Sequence, residues 1–443
     1  MGDRPATARR LRLPVALGAV VLAAGAFVLV NHRAGASGAR DASSSGRGTD
    51  VTASSLAPRP TTTTSPPAPL SLLGESPAPG TTAAPATAAV ELRFSAPVAK
   101  GSPMPRLSPS IAGSWRGAGT PTLVFQPSAR LTPYEHVVVA VPAGSSGVRD
   151  AAGSSLSASV ADGFTIAGAS TLRLQQLLAE LGYLPLAFDP AGSAATTAPS
   201  NALASEATTA STVSLTPRQG QFVWRFPDIP AQLAAAWQPG AWNSVTYGAV
   251  MAFEAAHGLG VDGEPGPLVW AALLQAVASR DSTTAPYDYI LVTETGPETL
   301  YVWRDGAVID QSLANTGVPG GTTALGTWPV YLRYSSTTMT GTNPNGSHYS
   351  DPGVPYVAYF NGSDAVHGFP RASYGFPQSD GCVELPIANA AVVFGTDPYG
   401  TLVTVTTGNL AAELGVTVPP SATTTSVGSP QAVAPATPAP VAG

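Results

Sequence analysis

From residue 37 to residue 89 the chain is almost wholly Ser, Thr, Pro, Ala and Gly, and the same composition returns from 419 to 443. Such tracts hold too few large apolar side chains to offset the entropy of ordering them. Both are read as disordered, the first as a linker and the second as a tail. Folded structure must then fit into the roughly 320 residues between them, room for two or three domains.

Ahead of the linker, Arg4, Arg9, Arg10 and Arg12 precede an unbroken apolar run over 13–30. A run of that length lies at the short end of what spans a bilayer as a helix. Basic residues before it place the N-terminus in the cytoplasm and everything downstream outside. Residues 1–36 are therefore read as a signal or membrane anchor, with Ala34-Gly35-Ala36 as a weak cleavage site. The expected location is extracytoplasmic, in the cell envelope, with the N-terminal helix held in the cytoplasmic membrane if it is not cleaved.

Net charge is −6 over 443 residues. No basic stripe marks a nucleic-acid surface, so nucleic acid is not an expected partner. The five histidines lie far apart without metal-ligand spacing, and no metal is expected. One cysteine, Cys382, excludes an internal disulfide.

Three folded blocks follow. Residues 90–167 alternate short β-branched or aromatic runs with Pro and Gly, and no helical period appears, which predicts a small β-sandwich. The phrases Phe94-Ser95-Ala96-Pro97-Val98, Phe125-Gln126-Pro127, Leu131-Thr132-Pro133-Tyr134 and Asp150-Ala151-Ala152-Gly153 resemble bacterial immunoglobulin-like modules.

Residues 171–277 are helical at both ends. Leu174, Leu177, Leu178 and Leu181 repeat at helical spacing and stop at Gly182, and a second helix is predicted over 245–257. With Val261-Asp262-Gly263, Gly266-Pro267 and Trp270 beyond, the ordering resembles a three-helix peptidoglycan-binding module. An insertion over 189–240, expected to be flexible apart from a strand near Phe222, splits that module and casts doubt on its wall-binding role.

Residues 287–407 return to strands, with a hairpin turn at Arg304-Asp305-Gly306 and one helix over 387–394. The polar stretch 334–355 shows no strong pattern and is expected to be a loop, with a lid as its natural use. The fold class is thus multidomain: an Ig-like sandwich, a small helical module and a compact β-rich domain.

Cys382 lies in the last of these, within Ser379-Asp380-Gly381-Cys382-Val383-Glu384, fifteen positions after His367. Turn formers between them, Pro370, Gly375, Pro377 and Gly381, let the chain fold back and bring thiol and imidazole together. A thiolate is the nucleophile and a neighbouring imidazole activates it. A Gly-flanked turn also exposes backbone N–H groups suited to an oxyanion. Tyr356, Tyr359 and Tyr374 are expected in the core or a cleft wall.

The block resembles the catalytic domain of L,D-transpeptidases, the YkuD family. The carrying motifs are His367-Gly368, Ser379-Asp380-Gly381-Cys382-Val383, Gly400-Thr401-Leu402-Val403 and, upstream, Leu325-Gly326-Thr327-Trp328-Pro329. The resemblance implies that Cys382 attacks the L,D peptide bond of a peptidoglycan stem tetrapeptide and that an amine of a neighbouring stem resolves the acyl-enzyme. His367 would be the base, oriented by the Gly368 carbonyl, with the Gly381 and Cys382 amides binding the oxyanion and Ser379 bracing the turn. Donor and acceptor stem peptides are the implied partners, and no cofactor is implied. Trimming of stems by water at the same site, or a silent wall-binding scaffold, remain the alternatives.

Two positions depart from the family pattern. Asp380 stands where His is usual, and it can raise the thiol pKa, complete a Cys-His-Asp triad, or face solvent. Glu384 stands where Arg or Asn is common and is expected at the surface or behind the site.

Overall fold

The computed structural model describes residues 68–192 and 209–418. The expected N-terminal apolar span, the linker up to residue 67 and the whole of the C-terminal tail lie outside the described residues. Among the described residues no helix is long and apolar enough to cross a membrane.

The first domain is the expected sandwich, but it begins earlier. Its strands are β1 (Leu72–Ser76), β2 (Val90–Phe94), β3 (Arg106–Ser108), β4 (Gly113–Arg116), β5 (Thr122–Pro127), β6 (His136–Val141) and β7 (Val160–Thr165). They form one sheet in the order β1-β2-β5-β4 and another in the order β3-β6-β7. Strict alternation buries Val90, Leu92 and Phe94 against Val137, Val139 and Val141. Residues 70–89 correct the linker reading: Leu70 and Ala84 are buried, and β1 pairs antiparallel with β2 from Leu72↔Phe94 to Ser76↔Glu91. The few leucines in a Pro/Thr-rich tract suffice because a preformed sheet edge supplies the partner hydrogen bonds.

The helical module follows: α1 (Thr171–Glu180), β8 (Leu186–Pro190), β9 (Gly220–Trp224), α2 (Ala231–Ala235), α3 (Ser244–Ala256) and α4 (Pro267–Ser279). Ser170 Oγ caps α1 by accepting from the Arg173 amide at 3.2 Å, and Asn243 Oδ1 caps α3 through Thr246 N at 2.9 Å. The insertion is folded where it is described. β8 and β9 pair as a hairpin, Phe222 packs on Phe188 at 5.3 Å, and Trp237 meets Phe222 edge-on at 5.1 Å. Aromatic cross-strand pairs of this kind give the hairpin a buried face that composition alone does not reveal.

The last domain contains β10 (Asp288–Thr293), β11 (Thr299–Arg304), β12 (Ala307–Leu313), β13 (Gly326–Pro329), β14 (Leu332–Thr342), β15 (His348–Asn361), β16 (Asp364–Gly368), β17 (Val383–Leu385), α5 (Ile387–Phe394), β18 (Leu402–Thr406) and α6 (Leu410–Glu413). One sheet runs β12-β11-β10-β18-β13 and the other β14-β15-β16-β17. Asp305 and Gly306, both with positive φ (50° and 103°), make the predicted hairpin turn.

β10 and β11 are buried on both faces, and alternation divides their side chains. Ile290, Val292, Leu300 and Val302 face the second sheet, packing with Val366, Val383 and Leu385. Tyr289, Leu291, Tyr301 and Trp303 face the helical module, sharing one core with Leu174, Phe253 and Trp270. The module is thus packed directly on the five-stranded sheet.

The stretch 334–355 is not a loop. β14 and β15 pair antiparallel from Leu332↔Tyr359 to Thr342↔His348, closed by a turn in which Gly346 N donates to Asn343 O at 2.8 Å. Ser, Thr and Tyr favour strands on a half-wet sheet, and only Met339 and Val354 are buried in its outer part. The hydrophobic alternation is therefore too sparse to read in sequence; the expected loop is a paired hairpin, and its Met339, Asn343, Tyr349 and Asp351 line one wall of a cleft.

Candidate active site

β16 and β17 lie parallel, with Val366↔Val383, His367↔Glu384 and Gly368↔Leu385 as partners. Because side chains alternate, Val366, Val383 and Leu385 point into the core. His367, Glu384 and Cys382, one position before β17, share the opposite face. There Cys382 and Ala365 pack with Met339, Val354, Val357 and Phe369. This face floors a cleft of about 310 Å³ walled by His367, Cys382, Asp380, Glu384, Arg371 and Tyr349. Strand parity, rather than proximity in sequence, aims imidazole and thiol into one space.

His367 is buried, at 3% exposure. Its Nδ1 lies 3.2 Å from Gly368 O, and Phe369 meets the ring edge-on at 6.0 Å. A carbonyl oxygen only accepts, so Nδ1 carries the proton and Nε2 keeps its lone pair. Burial holds the imidazole below its ordinary pKa, opposed by the Gly368 carbonyl and by the Glu384 charge.

The cysteine loop is tied down on both sides. Ser379 N donates to Thr316 O at 3.0 Å, Val318 N to Ser379 O at 2.9 Å, and Glu384 N and Asn315 N exchange bonds at 2.9 Å. Thr316 is in turn held by the buried Glu298 carboxylate, which accepts from its amide at 2.6 Å and its hydroxyl at 2.8 Å. Ser379 Oγ donates to Cys382 O at 2.5 Å. Gly381 has φ +105°, and a Cβ there would sit 2.7 Å from Asp364 Oδ1. The loop needs glycine for conformation and for space. The bonds that fix the loop use the amides of Gln378, Ser379 and Glu384; those of Gly381 and Cys382 are not among them.

Cys382 is half-buried, with its thiol 3.6 Å from Ser363 O. Burial pushes the thiol up to about 12; the Ala365 amide opposes this, and the Asp364, Glu384 and Asp380 carboxylates add to it in that order. Both shifts run toward the neutral forms, thiol on Cys382 and imidazole on His367.

Asp380 lines the cleft half-buried, its Oδ1 so close to Gly321 that a Cβ there would lie 1.9 Å away. It makes no hydrogen bond to His367, whose Nδ1 donates to Gly368 O instead. The triad reading of Asp380 therefore fails, and its effect on the thiol is the smallest of the three carboxylates. Glu384 is buried at 4% exposure and held in a two-pronged pair by Arg371, Nε to Oε2 at 2.8 Å and Nη2 to Oε1 at 2.7 Å. The surface position expected for it is thereby excluded. Tyr374 is buried, its hydroxyl donating to Phe369 O at 2.6 Å.

Two site residues escape sequence reasoning. Asp364 is buried beside Gly381, with Oδ2 accepting from Ala324 N at 3.1 Å. Arg371 neutralises Glu384 and lies 4.7 Å over the Phe369 ring. Neither sits in a motif; only the tertiary pairing reveals them.

Residues 287–405 match the family model of the L,D-transpeptidase catalytic domain, residues 66–166 that of the bacterial Ig-like domain, and residues 236–273 that of the putative peptidoglycan-binding domain. No curated protein matches the chain. Among solved structures, the catalytic domain of the Enterococcus faecium L,D-transpeptidase is 25% identical over 28% of this chain and 99% of its own, with a TM-score of 0.25. An L,D-transpeptidase from Mycobacterium smegmatis is 14% identical over 76% of this chain and 99% of its own, with a TM-score of 0.24. L,D-transpeptidase 3 from Mycobacterium tuberculosis, in complex with a faropenem-derived adduct, is 12% identical over 76% and 97%, with a TM-score of 0.25. On the strength of the domain matches, the chain carries an L,D-transpeptidase catalytic domain of the YkuD family behind a bacterial Ig-like domain and a peptidoglycan-binding domain.

Proposed function

We propose that the protein is a peptidoglycan L,D-transpeptidase that works through a Cys382 thioester. The observation that carries this reading is the shared cleft face of β16 and β17, which His367, held as the Nδ1–H tautomer, and Cys382 both line; the resting thiol donates to Ser363 O and turns to Nε2 for the transfer. Nε2 of His367 takes the thiol proton as sulfur attacks the carbonyl of the L,D peptide bond of a donor tetrapeptide. The resulting oxyanion is met by the Gly381 and Cys382 amides. The imidazolium then gives its proton to the departing terminal D-residue amine, leaving a thioester. A side-chain amine of a neighbouring stem attacks that thioester, His367 accepts the amine proton, and sulfur leaves to regenerate the thiol. Atoms and charge balance without a cofactor. The wall-acting domains fit an extracytoplasmic place of work and a peptidoglycan partner.

The test is wall-fragment analysis of cells carrying the wild type or Cys382→Ala. Cross-links made at the third stem position, and loss of intact tetrapeptides, are expected with the wild type alone. Equal fragments from both would remove the acyl-transfer reading.

A further inference from the structure

Away from the nucleophile, a groove of about 370 Å³ lies where the helical module meets the catalytic domain. Trp242 and Tyr247 line it from the start of α3, Trp328 from β13 and Tyr331 from the link between β13 and β14. Trp242 is 45% exposed, and its ring lies 6.1 Å from that of Tyr247. Asn243 and Asn361 border the rings with their amides already engaged, Asn243 in the α3 cap and with the Gln238 and Ala241 carbonyls, and Asn361 with Asp364; no Asp, Glu, Lys or Arg lines the groove.

The walls are held across the junction: Ser244 Oγ donates to Thr327 O at 2.8 Å, and the Tyr331 hydroxyl donates to Gly362 O. Gly362 lies in the turn between β15 and β16, next to Ser363, whose carbonyl is 3.6 Å from the Cys382 thiol. The groove and the nucleophile therefore share one turn.

Exposed aromatic faces and an uncharged lining suit a neutral ligand that is apolar on its ring faces and keeps its hydroxyl edges in water. A pyranose ring has that character; a stem peptide, with its carboxylates and amine, does not. The peptidoglycan-binding match, 236–273, includes Trp242, Asn243 and Tyr247. We propose that this groove is a saccharide subsite, shared between the two domains, for the amino-sugar strand that bears the donor stem. The proposal rests on the wall-polymer reading above and adds the glycan to it.

The probe is chitotetraose, the β-1,4 tetramer of N-acetylglucosamine, titrated into full-length Cys382→Ala protein while tryptophan fluorescence is followed. Saturable quenching is expected. Trp242→Ala should weaken it at least tenfold, and Trp242→Phe, which restores a ring, should recover most of it. Leu268→Ser, at a 73%-exposed position on α4 outside the groove, is expected to bind as the parent does. No saturable change up to millimolar sugar, equal affinity in Trp242→Ala, or stronger competition by a free stem peptide would overturn the subsite. Cross-link analysis is read separately. Sugar binding with no cross-linking keeps the groove and removes acyl transfer, whereas cross-linking with no sugar binding does the reverse.

Discussion

Glu384 stands directly opposite His367 across the parallel pair of β16 and β17, with its carboxylate gripped at both oxygens by Arg371. The base thus has a buried negative charge beside it that is already neutralised. Arg371→Ala should leave that charge without its main partner. Breaking a buried pair costs roughly 3–5 kcal/mol, and about 3 is expected here because the Arg end is 31% exposed. Urea unfolding measures this. The same change should raise the pKa of His367, since Arg371 now holds it down and Glu384 would act unopposed. The acid limb of the acylation profile would then move to higher pH.

The pH dependence of the wild type follows from the two neutral partners. His367 must be unprotonated to act, and its folded pKa lies below the ordinary 6.5. Acylation should therefore rise along a limb below 6.5 and stay flat through neutrality. Stability has the same sign: below 6.5 the unfolded histidine binds a proton that the folded one refuses, so stability is lost as pH falls from 6.5 towards the folded value. At the alkaline end the unfolded thiol ionises near 9 and the folded one near 12, so stability declines as pH rises across that window. An acylation profile that instead peaked sharply between 6 and 8 would indicate a preformed thiolate–imidazolium pair.

Asp380 replaces the family's usual histidine, yet it contributes least of the three carboxylates that raise the thiol. Asp380→Asn is expected to leave acyl transfer intact and lower the apparent thiol pKa slightly. Asp364→Asn should lower it more. Rates of iodoacetamide alkylation against pH rank the two, and loss of activity in Asp380→Asn would restore the triad.

Gly381→Ala should destabilise the protein and lower acylation together. A left-handed backbone costs an L-residue about 1–2 kcal/mol, and the new Cβ would also press on Asp364 at 2.7 Å. Thermal unfolding and acylation rate should therefore both fall, whereas Ser379→Ala should lose only the brace on the Cys382 carbonyl and fall by less.

Much of this site was legible because its parts are local in sequence. Cys382, Gly381 and Ser379 sit in one short loop, and turn residues after His367 announce that the chain doubles back. One helix end was legible too: Gly182, with positive φ just past α1, does what C-terminal capping chemistry requires. What escaped is long-range. β1 is a strand only because β2 is there to pair with it, and β14 and β15 order a stretch of Ser, Thr and Gly through each other's backbone. Arg371 and Asp364 acquire their roles from charges that the fold places beside them.

Intact-protein mass after mixing with a stem tetrapeptide tests the thioester most directly. The wild type is predicted to gain the mass of the tripeptide acyl group, with the terminal D-residue released. That adduct should map to Cys382, be removed by hydroxylamine, and be absent from Cys382→Ala. Donor turnover at equal rates in the wild type and Cys382→Ala, with no adduct on either, would contradict it.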